Sequence, residues 1–187
     1  FSYLSPVLKR QLKGKTAECV VRPANMDELD RVFAIAYKYR VPLTPRGNGT
    51  SVHGQSVPLS GGIVVDFTRL CGILEIGGGT MRAQAGANML AMEKAARERG
   101  LELPLLPATY KKSTIAGFLL GGFGGVGSVQ YGTIRDGMVK SMEIKTMESP
   151  SRTYTVTGED VQPFLHSYGV LGFVTEVTVE LVPKRNW

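Results

Sequence analysis

The sequence predicts an α+β fold of two lobes, and three observations predict it. A strand, an amphipathic helix and a second strand follow one another within residues 19–44, the pattern of a βαβ unit. The last third of the chain carries three segments of period-two alternation, which suit an antiparallel sheet. The 23 glycines gather at a few places instead of following a repeat, so glycine serves local needs. With 187 residues, 43% of them hydrophobic, the chain can fill the core of one sizeable domain or two small lobes.

Cys19-Val20-Val21-Arg22 reads as a short strand stopped by Pro23. Asn25 followed by Glu28 has the form of a capping box, so a helix starts there. Leu29, Val32, Phe33 and Ala36 fall at i, i+3, i+4 and i+7 and give that helix one apolar face, ending before Pro42. A second strand is expected at Val41 to Thr44, parallel to the first and reached by a right-handed crossover. Gly62 to Phe67 reads as a further buried strand and completes a first lobe of about residues 1–70. In the second lobe, about residues 71–187, Met81 to Ala85 is a strand and Asn88 caps a helix through Arg99. Gly100 sits where a helix C-terminus favours a left-handed residue. The alternating segments are Met138 to Thr146, Thr153 to Thr157 and Phe173 to Val182, the last with Phe173, Thr175, Val177, Val179 and Leu181 on its apolar face.

The 22 Lys and Arg against 16 Asp and Glu give a formal net charge of +6, which favours anionic ligands such as nucleotides, phosphates or carboxylates. The basic residues come as scattered pairs, Lys9-Arg10, Lys111-Lys112 and Lys184-Arg185, with little aromatic interleaving, which argues against a nucleic-acid surface. Cys19 and Cys71 are too isolated for a disulfide framework or a metal site and are expected as buried thiols. The most apolar stretch, Ile115 to Val126, is too short and too interrupted by glycine to span a membrane. The chain opens on Phe1 with no basic-then-apolar leader, which leaves room for a trimmed piece of a longer protein. A cytoplasmic location is expected, with a peripheral membrane or organelle location still open.

Directly after the second strand stands Pro45-Arg46-Gly47-Asn48-Gly49-Thr50-Ser51-Val52-His53-Gly54-Gln55-Ser56. Consecutive amides in such a loop can form an anion-binding nest, because glycine has no Cβ to block the dihedrals or the approach of a phosphate. Arg46, Thr50 and Ser51 can add donors; the other reading is a plain surface turn. The loop is no Walker A, which needs Gly-Lys-Ser/Thr, and no Rossmann loop, since Val57-Pro58 and Gly61-Gly62 stop a helix here. A second segment runs from Pro107 through Ser113-Thr114-Ile115-Ala116-Gly117 and Gly121-Gly122-Phe123-Gly124-Gly125-Val126-Gly127 to Tyr131-Gly132. Its GxGxxG match lacks the strand before and the long helix after that the dinucleotide fingerprint requires. Backbone packed against a large flat ligand accounts for it, and glycine-rich packing of helix on sheet is the alternative.

Together these segments resemble the FAD-binding domain of the vanillyl-alcohol oxidase and p-cresol methylhydroxylase family, the PCMH-type FAD-linked oxidases. The resemblance covers nearly the whole chain and rests on Arg46-Gly-Asn-Gly-Thr-Ser with Gly54-Gln55 and on Leu171-Gly-Phe-Val-Thr175, supported by Thr114-Ile-Ala-Gly117 and Tyr131-Gly132. It implies two α+β lobes with FAD between them. It implies that Arg46, Gly47, Asn48, Gly49, Thr50 and Ser51 cradle the pyrophosphate and that Gln55 and Ser56 approach the flavin. Pro107, Thr109, Thr114, Gly117, Gly121 and Gly122 would line the rest of the dinucleotide, and Val174 would meet the adenine end through its backbone. Some relatives carry a flavin-linked His in a Gly-His-Ser segment; the matching Thr50 has no ring nitrogen, so the resemblance implies non-covalent FAD. His53 reads as a loop residue. Tyr168 stands where many relatives have Glu, and the Met147 to Ser151 loop is short, two departures on the adenine side.

The function implied is an FAD-dependent oxidase or dehydrogenase acting on a small molecule such as a hydroxy acid, sugar or lactone, with the flavin accepting a hydride equivalent. Substrate and base residues of the family sit mostly on a cap domain, which is expected to be absent from a chain ending at Trp187, so no catalytic base is named. Two other readings stay open: a non-catalytic, flavin-carrying electron-transfer subunit or fragment and, more remotely, a basic nucleotide or nucleic-acid binding module. No metal site is expected.

Overall fold

A computed structural model describes residues 4–185. Ser5 caps α1 (Pro6–Gln11) by accepting from Leu8 N, and Pro6 stands in the first turn, where no amide is needed. After β1 (Cys19–Val21) comes α2 (Met26–Tyr39), which begins as its capping pattern predicts. Asn25 Oδ1 accepts from Glu28 N at 2.9 Å, while the Glu28 carboxylate takes Ala24 N at 2.8 Å instead of the Asn25 amide. The helix buries Leu29, Phe33 and Ala36 and turns off at Arg40 in the left-handed region. Val41 N still bonds Ala36 O and so closes the helix, which pushes the next strand, β2, to Leu43–Arg46 instead of the expected Val41 to Thr44.

β3 (Ile63–Asp66) lies between β1 and β2 and parallel to both, with Ile63 opposite Cys19 on one side and Leu43 on the other. The strands of the expected βαβ unit are thus parallel but do not touch, because a later strand takes the slot between them. This leaves β1 at an edge and corrects one expectation: Cys19 on that edge and Cys71 in the connection after Leu70 are both exposed, not buried thiols.

A hairpin of β4 (Ile73–Gly77) and β5 (Thr80–Gln84) turns on Gly78 and Gly79, both at positive φ, 57° and 74°. Asn88 then caps α3 (Met89–Arg97), and β6 (Leu101–Glu102), α4 (Ile115–Gly121) and α5 (Ser128–Tyr131) follow. Last come β7 (Val139–Lys145), β8 (Thr153–Thr157), β9 (Phe173–Glu180) and β10 (Val182–Pro183), which pairs with β6. The large sheet is antiparallel throughout, in the order β4-β5-β9-β7-β8. The fold is α+β, a small parallel sheet beside a larger antiparallel one.

One apolar cluster joins the two sheets. Phe173 at the head of β9 meets Phe33 of α2 with ring centroids 4.7 Å apart and Phe67, just past β3, at 6.2 Å. Beside it, Lys145 of β7 bonds Asp30 of α2 and Ser151, whose hydroxyl donates to Asp30 Oδ1 at 2.6 Å. Burial alone would raise the Asp30 carboxyl, but the hydrogen bonds from Lys145 and Ser151 and the Lys145 charge hold it below its ordinary value.

Candidate functional site

The loop that leaves β2 at Arg46 has to carry the chain back along the sheet to the start of β3, a crossover most parallel sheets make with a helix. Here it is irregular backbone. Gly49 and Gly54 adopt φ of +63° and +80°, conformations that an L side chain rarely takes. Among the described residues, the amides of residues 47–52 give no hydrogen bond to other protein atoms. No protein atom competes for these amides, so they are free to donate to an acceptor brought against the loop. The loop is nevertheless held: Asn48 Nδ2 donates to Lys112 O at 2.6 Å, and the Thr50 hydroxyl lies 3.4 Å from that of Ser113, itself 2.7 Å from that of Thr109.

The opposite wall is α4. Thr114 caps it by accepting from Gly117 N at 3.2 Å, while Ile115, Ala116, Phe118 and Leu119 are buried. The start of the helix approaches the loop so closely that a Cβ on Gly47 would strike the Thr114 hydroxyl. Glycine at 47 lets the two walls meet there, and the missing side chain of Gly117 leaves room beside the Thr114 cap of its own helix.

Between the walls lies an open cavity of about 380 Å³. Every residue singled out from the sequence lines it: Arg46, Gly47, Asn48, Gly49, Thr50, Ser51, Gln55 and Ser56 from the loop, Pro107, Thr109, Thr114, Gly117, Gly121 and Gly122 from the α4 side, and Val174 from β9. Tyr168, read above as a departure on the adenine side, lines it as well, as do Pro45, Phe67, Ala85, Ser113, Phe118, Leu120 and Gly172, to which no place in the site was given. Ser113 carried a signal, since it precedes a helix cap; the apolar ones look like any core residue.

The chemistry of the lining is that of a holder of a neutral or anionic flat molecule. Among the described lining residues there is no Asp, Glu or Lys; Arg46 supplies the fixed cation, and His53 and Tyr168 are the groups able to exchange a proton. Gln55 Oε1 is buried with no hydrogen-bond partner among the described residues, so an N–H donor is missing on that side. No group of His, Cys, Asp and Glu among the described residues could hold a metal, and no described helix is long and apolar enough to cross a membrane. The arrangement fits FAD: amides and Arg46 for the diphosphate, apolar walls without Cβ atoms for the rings, an orphan carbonyl oxygen for a ring N–H.

A cleft of orphan amides between a parallel and an antiparallel sheet defines a dinucleotide-cofactor domain that is neither Rossmann nor P-loop. The chain belongs to the FAD binding domain family of the PCMH type, whose family profile matches residues 17–148. FAD is its cofactor. The chain is 36% identical over 175 residues to the glycolate oxidase subunit GlcD of Bacillus subtilis, covering 89% of this chain and 37% of that protein. It is 28% identical over 178 residues to a D-lactate dehydrogenase of Archaeoglobus fulgidus, covering 89% and 39%. Alkyldihydroxyacetonephosphate synthase superposes with a TM-score of 0.77 at 27% identity, over 88% of this chain and 31% of that one. The chain therefore spans little more than a third of the length of the curated relatives it matches.

Proposed function

We propose that the chain is the flavin-binding part of an FAD-dependent oxidoreductase, an oxidase or dehydrogenase, with FAD held without a covalent bond between lobes of about residues 1–70 and 71–187. The observation that carries it is that residues 47–52, whose amides bond no protein atom among the described residues, line the cleft opposite α4. Residues 47–51 hold the diphosphate through their N–H groups, and Arg46 adds a charge-assisted donor. Gln55 accepts from the flavin side, and the Val174 backbone lies at the adenine end. When bound, FAD supplies an acceptor for a hydride equivalent. Thr50 occupies the place where some relatives carry a flavin-linked His, and a threonine hydroxyl offers no ring nitrogen for that bond.

The relatives named for glycolate and lactate turn the substrate proposal toward small 2-hydroxy acids. The test is direct: the purified protein, saturated with FAD, is precipitated with acid and the supernatant analysed for flavin. Free FAD in the supernatant is expected. Flavin that stays with the pellet overturns the non-covalent reading, and protein that takes up no FAD overturns the site itself.

A further inference from the structure

One cluster on the cleft wall is absorbed by nothing above. The segment 166–168 docks along the end of α4: His166 N donates to Leu119 O at 3.0 Å, Tyr168 N to Leu120 O at 2.8 Å, and His166 Nδ1 lies 2.7 Å from Gly122 O. These bonds satisfy carbonyls that a helix C-terminus leaves open. To make them, His166 and Tyr168 both adopt left-handed backbone, φ +60° and +58°, which is uncommon for residues other than glycine. The segment is held in a costly shape, and that shape carries Tyr168 over Gly121, whose Cβ position is 3.9 Å from the Tyr168 ring, and into the cleft lining.

The hydrogen-bond directions follow from the acceptor. A carbonyl oxygen can only accept, so the Nδ1 facing Gly122 O carries the proton. In the neutral ring Nε2 is then a bare acceptor, and the Tyr168 hydroxyl 2.7 Å away must donate to it. With its proton committed, the Tyr168 oxygen has only lone pairs to offer the cleft. Of the titratable groups on the elements packed there, Arg135 reaches Leu165 O at 2.9 Å beside His166, Asp136 is tied to Thr133, and Glu159 and Asp160 begin the 3-10 turn that leads into the segment. Phe123 closes the remaining side, its ring edge-on to His166 at 6.3 Å.

We propose that Tyr168, oriented by His166, is a hydrogen-bond acceptor in the cleft for an N–H group of the bound dinucleotide, and that His166 is its positioning residue. The inference rests on the reading that FAD occupies this cleft. FAD offers two such groups, the flavin imide and the adenine amine, and FMN keeps only the first. The test measures Kd for FAD and for FMN by flavin fluorescence at pH 8 in the wild type, Tyr168→Phe, His166→Asn and the double variant. Asn tolerates left-handed backbone and retains an amide donor for Gly122 O, so the second variant removes the acceptor of the Tyr168 proton while keeping the fold. Tyr168→Phe is expected to weaken FAD about three- to tenfold. Beside His166→Asn that ratio falls toward one, because nothing holds the Tyr168 proton away from the cleft. An effect shared by FMN puts the contact at the flavin ring, and one confined to FAD puts it at the adenine. A Tyr168→Phe ratio of one in the wild-type background, or an undiminished ratio beside His166→Asn, overturns this assignment and leaves the cleft reading standing. A wild type that binds no FAD overturns both.

Discussion

Replacing Gly49 with alanine separates the backbone role of the loop from its ligand role. The substitution places a side chain at φ +63°, a left-handed conformation that costs about 1–2 kcal/mol for an L residue. Its new Cβ would sit 2.9 Å from Arg46 Nε and 3.0 Å from Nη2, so the guanidinium must swing away. Arg46 is exposed and flexible, so that motion adds little to the folding penalty. Unfolding of the apoprotein should drop by about 2–8 °C, taking about 2–4 °C per kcal/mol for a domain of this size. FAD affinity should fall much further. One displaced charge-assisted bond is worth about 1.5–3 kcal/mol, or about 10- to 150-fold in Kd. Gly78→Ala is the matched control, because Gly78 has φ +57° in the β4–β5 turn and nothing within 4 Å of its Cβ position. It should show the same loss of stability and no change in Kd. Calorimetric titration with FAD and thermal unfolding of both variants read the two effects apart. Wild-type affinity in Gly49→Ala, or equal weakening in both, would refute the reasoning.

Two further outcomes test what holds the sheets together. Phe173→Ala removes the ring that Phe33 and Phe67 pack on and should destabilise by about 3–5 kcal/mol, read from denaturant midpoints. A loss under about 1 kcal/mol would mean the sheets do not share a core. Asp30→Asn leaves the Lys145 ammonium without its carboxylate and should cost about 1–3 kcal/mol at pH 7, discounted because the Asp30 side chain is 41% exposed. Since the folded Asp30 carboxyl is lowered, its contribution is present above the ordinary carboxyl value near 3.9 and is lost as pH falls through the lower folded value, so variant and wild type should converge in strong acid. A difference that persists undiminished at pH 2 would refute the ion pair as its cause.

What could be read from the residues was whatever local chemistry decides. The caps at Asn25 and Asn88 start their helices where the side-chain oxygen demands, and the alternation of β9 gives a strand with one buried face. The loop from Arg46 to Ser51 was legible for a similar reason, because small donors in an unbroken run have few other uses; the places of Gln55, Ser56, Pro107, Thr109, Thr114, Gly117, Gly121, Gly122 and Val174 were implied by the family resemblance. Global arrangement was not legible. Nothing in Ile63 to Asp66 announces that it inserts between β1 and β2, and the exposure of Cys19 follows only from that order. The helix α4 hid because Gly117 and Gly121 lower its propensity and because its buried residues leave little amphipathic stripe to see. The pairing of His166 with Tyr168 depends on left-handed backbone at both residues, which sequence does not specify.

The segment between β2 and β3 serves at once as the crossover of the parallel sheet and as one wall of the cleft. Strand order and ligand occupancy therefore share one set of residues. An occupant that ties down residues 47–52 also shortens the free tether on which β3 reaches its slot. Its binding energy enters the opening free energy of that sheet as RT ln(1 + [FAD]/Kd). Amide exchange in β1, β2 and β3 should then slow as cofactor is added. The small sheet is a gauge of how full the protein is.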